Sequence, residues 1–250
     1  MKEGYTHIAV VLDSSGSMQT IKDDTLGGFN GFLKAQKEAP GEATFTLIEF
    51  APPQIQSGIR GWGQTNSNIL IGGVLNDGKP VEVPLTVKYD FMPIKAVPEL
   101  TSETYRPNGG TPLLDTIAET INRTGKSLRN LPESLRPSKV LFVIITDGEE
   151  NASRVYNHQR VMEMIQHQSI VYKWEFVYLG ANQDAIQVGA TFGISAQRSM
   201  SYGVSADAIG STYGVLASKT MAFRSAASAA EATAALNFTE EERKSVEDKK

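Results

Sequence analysis

Ile8-Ala9-Val10-Val11-Leu12-Asp13-Ser14-Ser15-Gly16-Ser17 sets an unbroken apolar run directly before a cluster of short, oxygen-bearing side chains. An apolar run this short, with β-branched residues in it, reads as a strand buried on both faces, the mark of a parallel sheet. Residues 45–50, 140–145 and 174–179 repeat the pattern. Between the runs the period changes to that of a helix. Leu26, Phe29, Phe32, Leu33 and Ala35 recur at helical spacing within 21–37, while Lys22, Asp23, Lys34 and Lys37 are placed to face water. Leu114, Ile117, Ala118 and Ile121 do the same after Thr111 and Pro112, and Val161, Met162, Met164 and Ile165 mark a third helix. Strands alternating with helices imply right-handed crossovers and a doubly wound α/β sheet with helices on both faces.

Residues 51–87 break the rhythm. They are rich in Gly, Pro, Asn and Gln, with Gly61-Trp62-Gly63, Gly72-Gly73 and Asn76-Asp77-Gly78 as turn signals, and read as a hairpin-bearing insertion. Val81, Val83, Leu85 and Val87 alternate strictly, which predicts an edge strand over 81–89. Beyond residue 179 the spacing predicts helices over 184–192 and 206–224, the second continuing into the alanine-rich 226–236. Thr239 with Glu242 three residues on is a capping-box pattern opening a short charged helix. The expected division is a domain over 1–224 and a helical tail over 225–250, its last segment mobile or docked elsewhere.

The bulk composition excludes several classes. A formal charge of −4 over 250 residues offers no broad attraction to nucleic acid or to an anionic membrane surface. With no cysteine there is no disulfide framework or thiolate site, and no apolar run is long enough to span a bilayer. The expectation is a cytoplasmic protein, or one carried in a virion.

The chemistry gathers on three stretches. Asp13, Ser15 and Ser17 stand at alternate positions on the turn after the first strand. Asn108-Gly109-Gly110-Thr111-Pro112 sets a third hydroxyl before a helix, and Thr146-Asp147-Gly148 puts a second carboxylate after a buried strand. Carboxylates and hydroxyls are hard donors of the kind magnesium, manganese or calcium takes. In a doubly wound sheet, ligands bind outside the carboxyl ends of the strands where the strand order reverses, and all three stretches reach that crevice. Two carboxylates formally neutralise a dication, leaving room for one more anionic oxygen, such as an Asp or Glu of a partner protein. The competing reading is that these residues merely cap helices, as Ser, Thr and Asp often do. Glu149 and Glu150 read as solvated acids in the first turn of a helix, and His7, His158 and His167 as structural. Trp62 reads equally as a packed anchor or an exposed contact.

Taken together, Asp13-Ser14-Ser15-Gly16-Ser17, Gly109-Gly110-Thr111-Pro112-Leu113 and Thr146-Asp147-Gly148 resemble the three parts of the metal-ion-dependent adhesion site of von Willebrand factor A domains, over about residues 6–224. The resemblance implies a six-stranded sheet with one antiparallel edge strand, holding magnesium or manganese through Ser15, Ser17 and in some members Thr111. The aspartates, Asp13 and Asp147, would act partly through water. Residues 178–185 are similar to stand-alone bacterial and phage members; the 51–87 insertion departs from the compact pattern. The function implied is non-catalytic capture of an acidic residue of a protein partner. Two alternatives stay open. One is a structural or assembly component of a larger complex such as a phage virion. The other is a metal-dependent phosphohydrolase, against which Ser15 stands where such enzymes carry a second aspartate. No Walker loop and no G-x-S-x-G elbow is present.

Overall fold

The chain runs β1 (Lys2–Asp13), α1 (Lys22–Glu38), β2 (Glu42–Phe50), β3 (Leu70–Val74), β4 (Pro80–Val83), β5 (Leu85–Pro93), α2 (Leu113–Asn130), β6 (Pro137–Thr146), α3 (His158–Tyr172), β7 (Glu175–Ala181), α4 (Ala185–Thr191), β8 (Ser199–Tyr202), α5 (Ala206–Ser225), α6 (Ala229–Ala235) and α7 (Glu240–Ser245). This is a computed structural model describing residues 1–50, 70–74, 80–83 and 85–248. Six strands form one sheet in the order β5-β2-β1-β6-β7-β8. All neighbours are parallel except β5, which pairs antiparallel with β2 at one edge.

The strand runs are continuous rather than alternating because both faces of the sheet are covered. Ile8, Val10 and Leu12 of β1 share one buried layer with Phe29 and Phe32 of α1 and Leu216 of α5. Ala9 and Val11, pointing the other way, share a second with Ile117 and Ile121 of α2 and Val161 and Ile165 of α3. Two cations close helix ends against this frame. Arg224, 6% exposed, donates to the carbonyls of Gln36, Pro40 and Gly41 at the end of α1. Lys139 donates to those of Phe223, Arg224 and Ala226 at the end of α5. Both satisfy carbonyls that the helix leaves unpaired and oppose its negative end.

Several expectations change. Gly72-Gly73, read as a turn, lies inside β3, which pairs antiparallel with β4. The strand expected over 81–89 is two: β4 ends at Val83, while β5 starts at Leu85 and continues to Pro93. Trp62 and the Asn76-Asp77-Gly78 turn lie outside the described residues. The helix expected to run on from α5 stops at Ser225. Ala226 turns to extended backbone, and Ser228 then caps a separate α6 by accepting from Glu231 N. β8 went unread because Ser199-Met200-Ser201-Tyr202 has no apolar run.

The capping box at Thr239 and Glu242 forms, and the segment it opens makes contacts with the domain itself. Arg243 donates to the carbonyls of Ser199 and Ala196, Gly203 N donates to Val246 O at 2.8 Å, and the Asp248 carboxylate accepts from Val204 N and Ser205 N. The tail thus covers the open edge beside β8, where unpaired backbone would otherwise invite another strand. Among the described residues no helix is long and apolar enough to cross a membrane.

His7 is fully buried on β1, stacked on Phe91 at 4.0 Å, with Nδ1 3.0 Å from Thr44 Oγ1 and no partner for Nε2. Burial pushes its pKa down to about 3. Below the unfolded value the unfolded chain takes up a proton that the folded chain refuses. His7 therefore subtracts stability as pH falls from about 6.5 towards 3, by up to about 1.4 kcal/mol per pH unit. Denaturant unfolding of the wild type and of His7→Phe across that window measures the effect. The stability difference between them is expected to move steadily against the wild type as pH falls, and a difference flat with pH would contradict it.

Candidate metal centre

The sheet order reverses between β1 and β6: β1 is followed by β2 on one side, and the chain later returns to place β6 on the other. Leu12 pairs with Ile145, so the two strands end side by side and Asp13 and Asp147 emerge at one rim. The turn after β1 is shaped by Asp13 itself, whose Oδ1 accepts from Ser15 N at 2.7 Å. Ser14 is spent on the frame, donating from both N and Oγ to Phe50 O at the end of β2. That leaves Ser15 and Ser17 for the crevice.

The second loop is stitched to the first. Gly16 N donates to Gly109 O at 3.0 Å and Asn108 N to Ser14 O at 2.7 Å. Gly109 needs its φ of +78°, and a Cβ on Gly110 would meet Asn151 Oδ1 at 3.0 Å. Glycine is favoured at Gly109 by conformation, while a side chain at Gly110 would press on Asn151 and Ala152. Thr111 N donates to Asn151 Oδ1 at 2.8 Å, and Asn151 N returns a bond to Thr111 O. This exchange ties the second loop to the third.

The five oxygen-bearing side chains named from the sequence come together. Ser17 Oγ donates to Asp147 Oδ1 at 2.7 Å and lies 3.0 Å from Ser15 Oγ. With the Ser17 proton committed to Asp147, Ser15 is the donor of that second bond. Gly148 marks the hollow between them. A Cβ built there would stand 3.2 Å from Thr111 Oγ1, 3.7 Å from Ser17 Oγ and 3.9 Å from Asp13 Oδ2, so oxygens of the first and second loops surround a point on the third. Among the described residues no three His, Asp or Glu side chains gather for a metal. The donor set is instead two carboxylates with three hydroxyls, which suits a hard dication rather than zinc held by nitrogen or sulfur.

Electrostatics points the same way. Asp13 has no exposed surface. Burial raises its pKa to about 6 against the hydrogen bonds of Ser15 and Thr146, and the nearby Asp147 adds to the rise. Burial also raises the pKa of Asp147. Two partly desolvated carboxylates in one hollow repel each other, and a cation between them relieves both.

Several contributors were not singled out from the sequence. Thr146 Oγ1 donates to Asp13 Oδ2 at 2.6 Å while accepting from Gly148 N. Tyr105, fully buried, donates to Asp13 O at 2.6 Å. Thr146 stood inside the Thr-Asp-Gly stretch, but nothing around Tyr105 in the sequence marked it. Glu149 and Glu150 are not in a helix, since α3 begins only at His158. Glu150 instead accepts from Leu114 N in the first turn of α2 and from Ala152 N and Ser153 N in its own loop. Asp115 completes the clamp by accepting from Arg154 N and Tyr156 N. His7, His158 and His167 contribute nothing to the hollow; His158 stacks on Phe192 and His167 packs against Tyr172.

Comparison with protein-family models and with curated proteins returns no match. Solved structures do match. Proximal thread matrix protein 1 from the mussel byssus, described with a zinc-occupied MIDAS motif, superposes with a TM-score of 0.53 at 10% identity, over 87% of this chain and 48% of that one. The pilus adhesin SpaC from Lactobacillus rhamnosus GG, in its open conformation, gives 0.55 at 15% identity over 88% and 30%. A von Willebrand factor type A protein from Catenulispora acidiphila gives 0.51 at 12% over 88% and 43%. The chain spans less than half the length of each of these proteins. At such identities the likeness is one of fold: an α/β sheet, mostly parallel with one antiparallel edge, of the von Willebrand factor A type.

Proposed function

We propose that the chain is a non-catalytic protein-binding module. In this reading Asp13, Ser15, Ser17, Thr111 and Asp147 hold one magnesium or manganese ion, with calcium as a further candidate, and a partner protein supplies an Asp or Glu. The observation that carries the reading is the hollow beside Gly148 of the third loop, bounded by oxygens of the first and second loops, with Asp147 joined to it through Ser17. A dication bound there supplies a Lewis-acid position with an affinity for one more carboxylate oxygen. The chain's own residues do the rest. Ser15 and Ser17 present neutral oxygens, so the protein does not overcompensate the charge. Thr146 and the Ser15 amide hold the Asp13 carboxylate in place. Asn151 and the Gly109 carbonyl keep the Thr111 loop in register with the first turn.

The reading as a binder rather than an enzyme has specific support. Among the described residues neither Ser15 nor Ser17 is hydrogen-bonded to a histidine or lysine; their hydroxyls are engaged with each other and with Asp147. Proteins of the same fold include one described with an occupied metal-ion-dependent adhesion motif and one pilus adhesin.

Two measurements test this. Magnesium or manganese at a hundred times its Kd adds about 2.7 kcal/mol to the native state, a rise in Tm of roughly 5–10 °C for a chain of this size, reversed by chelator. Gly148→Ala puts a methyl group into the hollow at an ordinary backbone conformation and is expected to abolish that rise while leaving the metal-free Tm within a few degrees. A full metal response in Gly148→Ala would remove the site from this place. Thr146→Val leaves a buried carboxylate short of a donor, which costs about 1–3 kcal/mol. The metal-free variant should melt lower and bind metal more weakly. Separately, sustained metal-dependent hydrolysis of p-nitrophenyl phosphate that is lost in Asp13→Ala would make the protein an enzyme.

A further inference from the structure

At the opposite end of the sheet from the oxygen cluster, a cleft of about 720 Å³ opens between the last turns of α2 and α3. Its floor is apolar: Ile121, Val140 and Trp174 line it and are at most 5% exposed. Its lip is cationic. Lys126, Arg129 and Arg136 line it against the single carboxylate of Glu133, and neither Lys126 nor Arg129 is in an ion pair among the described residues. In a chain of net charge −4 this is a local inversion of sign.

The surroundings are apolar as well. Among the described residues six large hydrophobic side chains are exposed, and five of them are Met1, Leu135, Ile170, Val171 and Tyr172. Met1 and Tyr172 line the cleft, and Leu135 stands between Glu133 and Arg136, which also line it. Ile170 and Val171 follow His167, another lining residue, by three and four positions and so share its helix face. Single exposed hydrophobic residues are ordinary, but such a concentration around one cleft marks an interaction surface.

We propose that this end of the domain docks an acidic amphipathic segment of a partner protein, with apolar side chains seated over Trp174 and carboxylates facing Lys126, Arg129 and Arg136. Charge and shape select that occupant over two others. A two-fold contact with a second copy would set the same cations against each other. A lipid surface would meet the protruding side chains alone, whereas Val140 and Trp174, recessed in the floor of the cleft, are reached by a side chain that enters it. The surface owes nothing to the cation site and acts whether or not metal is bound.

Fluorescence anisotropy tests it with a labelled amphipathic peptide bearing Leu and Phe on one helical face and Glu on its flanks, beside a counterpart with Lys for Glu. The acidic peptide is expected to bind with Kd below about 100 μM and the basic one at least tenfold more weakly. Chelator should leave binding unchanged. Lys126→Glu with Arg129→Glu should weaken it about tenfold or more, and so should Val171→Asp or Tyr172→Ala, all at exposed positions that leave the fold intact. The proposal is overturned if both peptides bind equally, if neither binds, or if the variants change nothing. It is overturned too if chelator abolishes binding, which would move the peptide to the oxygen cluster. Sedimentation with phosphatidylserine vesicles, or dimerisation by light scattering, that is lost in Val171→Asp would assign the surface to a membrane or to a second copy instead.

Discussion

A carboxylate with no exposed surface is the constraint around which this molecule is arranged. Asp13 ends the strand at the centre of the sheet, where water is excluded and an ion is expensive to keep. Its neighbours answer that cost group by group: the Ser15 amide on one oxygen, the Thr146 hydroxyl on the other, and the Tyr105 hydroxyl on its backbone carbonyl. Each donor comes from a different stretch, so satisfying one side chain also fixes three loops against each other. These bonds leave the charge itself uncancelled, and Asp147 brings a second of the same sign.

The rest of the upper rim serves the same geometry. Ser14 anchors the first turn to β2, the Gly16–Gly109 bond brings the second loop across, and Asn151 exchanges two bonds with Thr111. Glu150 and Asp115, which have the composition of ligands, work as backbone clamps. Glycine suits the positive φ of Gly109, and at Gly148 a methyl group would stand among the oxygens. The rim is preorganised by hydrogen bonds rather than by apolar packing, which suits a site that must hold oxygens at fixed separations.

The two ends of the sheet carry opposite chemistry. The carboxyl ends of the strands gather acids and hydroxyls in a hollow, whereas the amino ends of β6 and β7 face an apolar cleft lipped by cations. Between them β1 and β6 run side by side through a core with an apolar layer on each face of the sheet. Such a division lets one domain present two independent surfaces.

Local pattern was enough to read the central strands, helices α1 to α5, the capping box at Thr239 and the three oxygen-bearing loops, because each depends on residues close together in sequence. Burial on both faces writes itself as a continuous apolar run, and a turn rich in Asp, Ser and Gly is legible wherever it falls. Local pattern did not reveal β8, whose four residues become a strand only because β7 offers them a ladder. Nor did it reveal that α7 folds back over that edge, or that Glu150 caps α2 rather than opening a helix of its own. Tyr105 and Asp13 are 92 positions apart, and Thr146 and Asp13 are 133 apart. Which oxygen meets which donor at such separations is settled by strand order and register, and those belong to the folded chain as a whole.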